Sequence, residues 1–104
     1  MSQAHKVAHI NDIPIGSIKS FVIDYEKIVV CHTQKGIFAV EDCCSHDSAP
    51  ISSGHLDSEG RIVCPRHGAK FDCQTGDVVA PPAVVGISTY EIKIENDEIY
   101  IILD

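Results

Sequence analysis

The sequence predicts an all-β protein built from antiparallel sheets, and three observations carry that prediction. Apolar residues fall in short β-branched runs divided by turn formers, as in Phe21-Val22-Ile23 and Ile28-Val29-Val30-Cys31. Near the C-terminus Tyr90, Ile92 and Ile94 alternate with Glu91, Lys93 and Glu95, the period of a half-buried strand. No segment of convincing length carries the 3.6-residue spacing of an amphipathic helix.

Taken in order, Lys6-Val7-Ala8-His9-Ile10 reads as a strand stopped by Asn11-Asp12 and Pro14-Ile15-Gly16. Polar Asp24-Tyr25-Glu26-Lys27 separates the next two runs as a hairpin. After Gln34-Lys35-Gly36, Ile37-Phe38-Ala39-Val40 completes an antiparallel meander. From Glu41 to Gly60 regularity disappears, and a structureless stretch of roughly 20 residues needs something functional to organise it. Arg61-Ile62-Val63 is a short strand, Gly68 to Asp72 its return, and Gln74-Thr75-Gly76-Asp77 the turn that follows. Pro81-Pro82-Ala83 lacks two backbone donors and reads as a loop. Tyr90 to Glu95, the turn Asn96-Asp97-Glu98 and Ile99 to Leu103 form a second hairpin. Cys31 lies in an apolar strand and Cys73 at a strand end, both as packing residues. His5, His9, His32 and His55 lack metal-ligand context, and Asp72 is expected to hold the turn after it.

The chain has 104 residues, 44% hydrophobic and 22% charged, which fits one globular domain over residues 1–104. A net charge of −7 argues against nucleic acid and for an electropositive partner surface. No apolar run approaches the roughly 20 residues of a membrane helix, and the N-terminus has no apolar signal segment. The expected setting is cytoplasmic, without a membrane. Five cysteines make an odd number, which fits metal binding better than a disulfide framework.

Two Cys–His pairs on separate loops supply two thiolates and two imidazoles, a set used for structural zinc or for an iron–sulfur cluster. Two registers are open. Cys43-x-x-His46 with Cys64-x-x-His67 is symmetric and suits zinc; Cys44-x-His46 with Cys64-x-x-His67 is not. On an extended segment Cys44 and His46 point the same way, and Cys43 points to the other side. Gly68 can bring the second loop's backbone close or take a positive φ.

Cys44-Ser45-His46 and Cys64-Pro65-Arg66-His67-Gly68-Ala69-Lys70-Phe71-Asp72 resemble the Rieske [2Fe–2S] proteins. The similarity is to the soluble ferredoxins of bacterial aromatic-ring dioxygenases. Ala49-Pro50-Ile51-Ser52-Ser53-Gly54, Thr75-Gly76 and Pro81-Pro82-Ala83 carry the likeness further. The resemblance implies a Rieske-type fold, with a cluster-binding subdomain at about residues 43–72 and a covering proline loop at about 80–84. It implies that Cys44 and Cys64 bind one iron and His46 and His67 the other, leaving Cys43 a bystander. High-potential members have cysteines at the positions of Ala49 and Arg66 and a serine at that of Ala69. Their absence here implies a low-potential one-electron carrier. Its implied partners are a flavoprotein reductase and a terminal oxygenase, docking over His46 and His67 with Arg66 and Lys70 nearby. It is not expected to be an enzyme alone. The rivals are a redox subunit of a larger assembly, like the small subunit of a nitrite reductase or a partner of cluster-assembly proteins, and a zinc-stabilised β interaction domain.

Overall fold

The computed structural model describes residues 3–43, 50–64, 68–80 and 86–103. Its strands are β1 (Gln3–His9), β2 (Ile18–Ile23), β3 (Glu26–Thr33), β4 (Gly36–Glu41), β5 (His55–Leu56), β6 (Arg61–Val63), β7 (Lys70–Asp72), β8 (Val78–Ala80), β9 (Thr89–Glu95) and β10 (Glu98–Leu103). They make a larger sheet in the order β1-β10-β9-β4-β3-β2 and a smaller one in the order β5-β6-β7-β8, all pairings antiparallel. The predicted meander is β2-β3-β4, and the C-terminal hairpin is β9-β10. The hairpin receives β1 on its outer side, with Ala8 opposite Ile99.

Two tight turns set the hairpin registers. Asp24-Tyr25 and Asn96-Asp97 all have positive φ, between 49° and 70°, as a two-residue turn matched to strand twist demands. Each hairpin therefore resumes its strand sooner than the polar character of Glu26, Lys27 and Glu98 suggests. Tyr25 holds its left-handed conformation at a fully exposed tip.

β3 is the wall on which both cores are built. Ile28, Val29, Val30 and Cys31 have no solvent exposure, because the strand is apolar on both faces. Ile28 and Val30 face a core with Ala8, Ile13, Ala39, Ile99 and Ile101. Val29 and Cys31 face the second core, which the smaller sheet fills with Ile62, Cys64, Ala69, Phe71 and Cys73. The smaller sheet thus rides on the back of the meander, and Phe71 is the largest fully buried side chain between them.

Some elements depart from expectation. Within Glu41 to Gly60 the chain forms a 3-10 turn, Ile51–Ser53, and the two-residue strand β5. Strands β5 and β8 are too short for alternation to reveal them. Ile94 was expected to face inward with Tyr90 and Ile92, but it is 45% exposed. Its partner Ile99 is buried, but β4 pairs with β9 at Thr89 and Tyr90 and does not reach Ile94, which leaves that side chain open on its other flank. Asp72 does hold its turn, Oδ1 accepting from the Gln74 and Thr75 amides at 2.8 and 3.1 Å. Gly76, at φ +77°, packs this turn so tightly that a Cβ would run into the Ile87 carbonyl oxygen. The loop Pro81-Pro82-Ala83 lies outside the described residues.

Candidate metal centre

The second loop is built from its backbone outward. Strand β6 ends at Val63, and the next residue, Cys64, donates its amide to the Ala69 carbonyl at 2.7 Å. The Gly68 amide returns to the Cys64 carbonyl at 3.1 Å. These bonds close the chain around residues 65–67 and satisfy polar groups that would otherwise be left buried. Gly68 makes the reversal with φ +77°, and a Cβ placed there would meet none of the described residues within 4 Å.

Cys64 is 1% exposed and packs with Ile51, Ile62, Ala69 and Phe71. A thiol so placed is a soft donor at the mouth of a closed loop, shielded from water. The first loop leaves the framework after β4. Asp42, 7% exposed, accepts from the Ser52 amide at 2.8 Å and from the Ser52 hydroxyl at 2.7 Å. Residues 42 and 52 are therefore held together across the loop. Ile51, fully buried, brings the returning end into the core that holds Cys64 and Ala69. The bases of the two loops meet.

Of the four ligands that the resemblance implies, Cys64 alone lies among the described residues; Cys44, His46 and His67 lie outside them, as does Arg66. Cys43 is half-buried beside a cavity of about 310 Å³ that is also lined by Asp42, Pro50, Lys27 and Tyr25. Lys70 lies 3.9 Å from the Asp57 carboxylate, a half-buried pair at the edge of ion-pair range.

The remaining cysteines and histidines have other work. Cys31 and Cys73 are buried thiols on facing elements of the second core. The Cys31 thiol is held well above its ordinary range, first by its hydrogen bond with the Cys73 thiol and then by burial. It is a neutral packing group, since a thiolate is what binds metal. His32 Nδ1 lies 2.6 Å from the Ile13 carbonyl, His9 accepts from the Asn11 amide, and His5 sits 3.6 Å from Asp24. Asp42 was missed in the sequence. Its signal is a polar residue two before Cys44, with Ser52 ten residues on, and nothing local marks the pair.

What the arrangement can hold follows from its donors. A thiolate-and-imidazole set suits zinc or a [2Fe–2S] cluster. The described part fits the cluster: a buried sulfur donor on a loop whose base two backbone hydrogen bonds close. When bound, such a cluster accepts and releases one electron.

The chain matches the Rieske [2Fe-2S] domain family over residues 3–91. It is 37% identical over 90 residues to the ferredoxin component of the naphthalene 1,2-dioxygenase/salicylate 5-hydroxylase systems of a Ralstonia species, covering 86% of this chain and 85% of that one. The ferredoxin of carbazole 1,9a-dioxygenase from Nocardioides aromaticivorans IC177 superposes with a TM-score of 0.90 at 27% identity, covering 95% and 96% of the two chains. A complex of reduced oxygenase and oxidized ferredoxin in carbazole 1,9a-dioxygenase gives 0.87 at 29% identity, over 94% and 91%. No helix among the described residues is long and apolar enough to cross a membrane. By sequence and by fold, the chain belongs to the Rieske [2Fe-2S] domain family, its cofactor is a Rieske-type [2Fe–2S] cluster, and its role is electron transfer.

Proposed function

We propose that this protein is a low-potential ferredoxin that takes one electron at a time from a flavoprotein reductase and delivers it to a terminal oxygenase in the cytoplasm. Cys44 and Cys64 bind one iron, and His46 and His67 the other. The observation that carries this reading is the meeting of the two loop bases, with Ile51, Cys64 and Ala69 in one apolar cluster. The described chain that flanks each Cys–His pair meets at that point. The Cys44 register rests on the likeness of Cys44-Ser45-His46 to the family pattern, and it makes Cys43 a bystander.

The protein's part in the transfer is to hold the site still and dry. Strands β6 and β7 fix Cys64 through its closed loop, and the core beneath excludes water, so little solvent needs to rearrange as charge changes. Partners dock over His46 and His67, where an imidazole edge gives an electron a short way out. A relative of nearly the same length, itself a ferredoxin component, favours a separate carrier over a redox subunit of a larger assembly.

The potential follows from donors near the cluster. Two neutral imidazoles leave a less negative site than four thiolates, which places Rieske centres at roughly −150 to +300 mV. Ala69 is buried and would offer no hydroxyl to a cluster sulfur, so a reduced cluster would lack that support. A spectroelectrochemical titration is expected to give a midpoint near −150 mV, within a hundred or so. A69S should shift it upward. A midpoint above about +100 mV would contradict the low-potential assignment. The carrier role is tested by mixing the dithionite-reduced protein with a ring-hydroxylating oxygenase and following its reoxidation. No faster reoxidation than by buffer alone would count against it.

A further inference from the structure

The Asp42–Ser52 contact spans the first loop, which carries Cys44 and His46 in the reading above. The Asp42 carboxylate spends both oxygens on one residue, Oδ1 on the Ser52 amide and Oδ2 on the Ser52 hydroxyl. Its own amide donates to the Lys27 carbonyl at 2.9 Å, which pins it to the start of β3. Ser52 lies in the Ile51–Ser53 turn, itself closed by the Gly54 amide on the Ile51 carbonyl at 2.9 Å and by the Ser53 hydroxyl on the Pro50 carbonyl at 2.8 Å. The turn's Ile51 is fully buried against the core that contains Cys64 and Ala69. The contact therefore joins the end of β4 to an element seated on the second loop's base.

We propose that Asp42 is a positioning residue for the cluster. It clasps the first loop shut against Ser52, fixes that loop relative to Cys64, and places a buried negative charge beside the site. One residue separates Asp42 from Cys44, so their Cα atoms are at most about 7 Å apart. A buried carboxylate on the same short stretch of chain opposes an added electron, because the interior screens charge poorly. Closing a loop also removes chain freedom that would otherwise be lost when the ligands assemble. Groups that orient metal ligands in this way change metal affinity about 10–100-fold when removed. The inference rests on Cys44 and His46 being ligands.

Charge and clasp are separated by three variants of the cluster-loaded protein: D42A, D42N and S52A. Release is followed as loss of visible absorbance in excess ferrous chelator, and potential by titration. D42A is expected to release its cluster at least about ten times faster than wild type. D42N keeps an acceptor for the Ser52 amide, so it should restore most of the retention while its midpoint moves upward. S52A should fall between wild type and D42A, and with D42N it decides the matter if D42A does not fold. Wild-type release from S52A and D42A, or from S52A alone if D42A is unfolded, overturns the proposal. So does an unchanged midpoint in D42N. A wild-type protein with no Rieske signal would instead overturn the ligand assignment, and this proposal with it.

Discussion

H67A is expected to lose the Rieske EPR signal and most of its bound iron. One iron in the proposed site depends on two imidazoles, and alanine removes half of that iron's protein donors. H67C is the sharper variant because it replaces the donor but changes its charge. An oxidised core of about +2 is near neutral with two thiolates and two imidazoles; a third thiolate makes it about −1. Any cluster that H67C retains should therefore have a lower midpoint and an altered EPR spectrum. Iron and sulfide analysis beside the spectrum checks both variants. A signal from either that is indistinguishable from wild type would remove His67 from the ligand set.

F71A is expected to have the largest effect on the fold. Phe71 has no solvent exposure, lies on β7 opposite Ile62 on β6, and fills the space between the smaller sheet and β3. Truncating a buried phenylalanine costs about 3–5 kcal/mol through lost burial and the cavity left behind. Total stabilities are about 5–15 kcal/mol, so this is a large fraction. For a chain of this size each kcal/mol lowers the melting temperature by about 4–8 °C, so a drop of at least about 12 °C is expected. Since Phe71 shares its core with Cys64, visible absorbance and far-ultraviolet circular dichroism should be lost in one transition. A fall of less than about 4 °C would show that the two sheets are held together by something other than this contact.

The strands most legible in the sequence are those whose burial leaves a local pattern. The meander declares itself through β-branched runs, and the C-terminal hairpin through alternation from Tyr90 and the Asn96-Asp97 turn. The strands missed, β5 and β8, have two and three residues and take their place from neighbours, not from period. Ile94 departs from its pattern because alternation assigns a residue to a face but says nothing of how far the neighbouring strand extends, and β4 stops pairing with β9 at Tyr90. The outward pairing of β1 on β10 is a non-local choice that no segment encodes.

The candidate site divides in the same way. Cys64 and its loop are readable because proline, glycine and the two ligand types sit within a few residues. The Asp42–Ser52 clasp is invisible, since its partners are ten residues apart and polar residues at those places are ordinary in loops. Cys31 and Cys73 could be read singly as packing residues. Their mutual hydrogen bond appears only when the smaller sheet is laid against β3.

The choice between Cys43 and Cys44 as the first ligand is the claim on which the rest depends. One EPR measurement tests it most directly, on dithionite-reduced C43S and C44S prepared side by side with iron quantified. The Rieske account predicts that C43S keeps the wild-type spectrum and two irons per chain, while C44S loses the signal. A spectrum that survives in C44S and vanishes in C43S would contradict it.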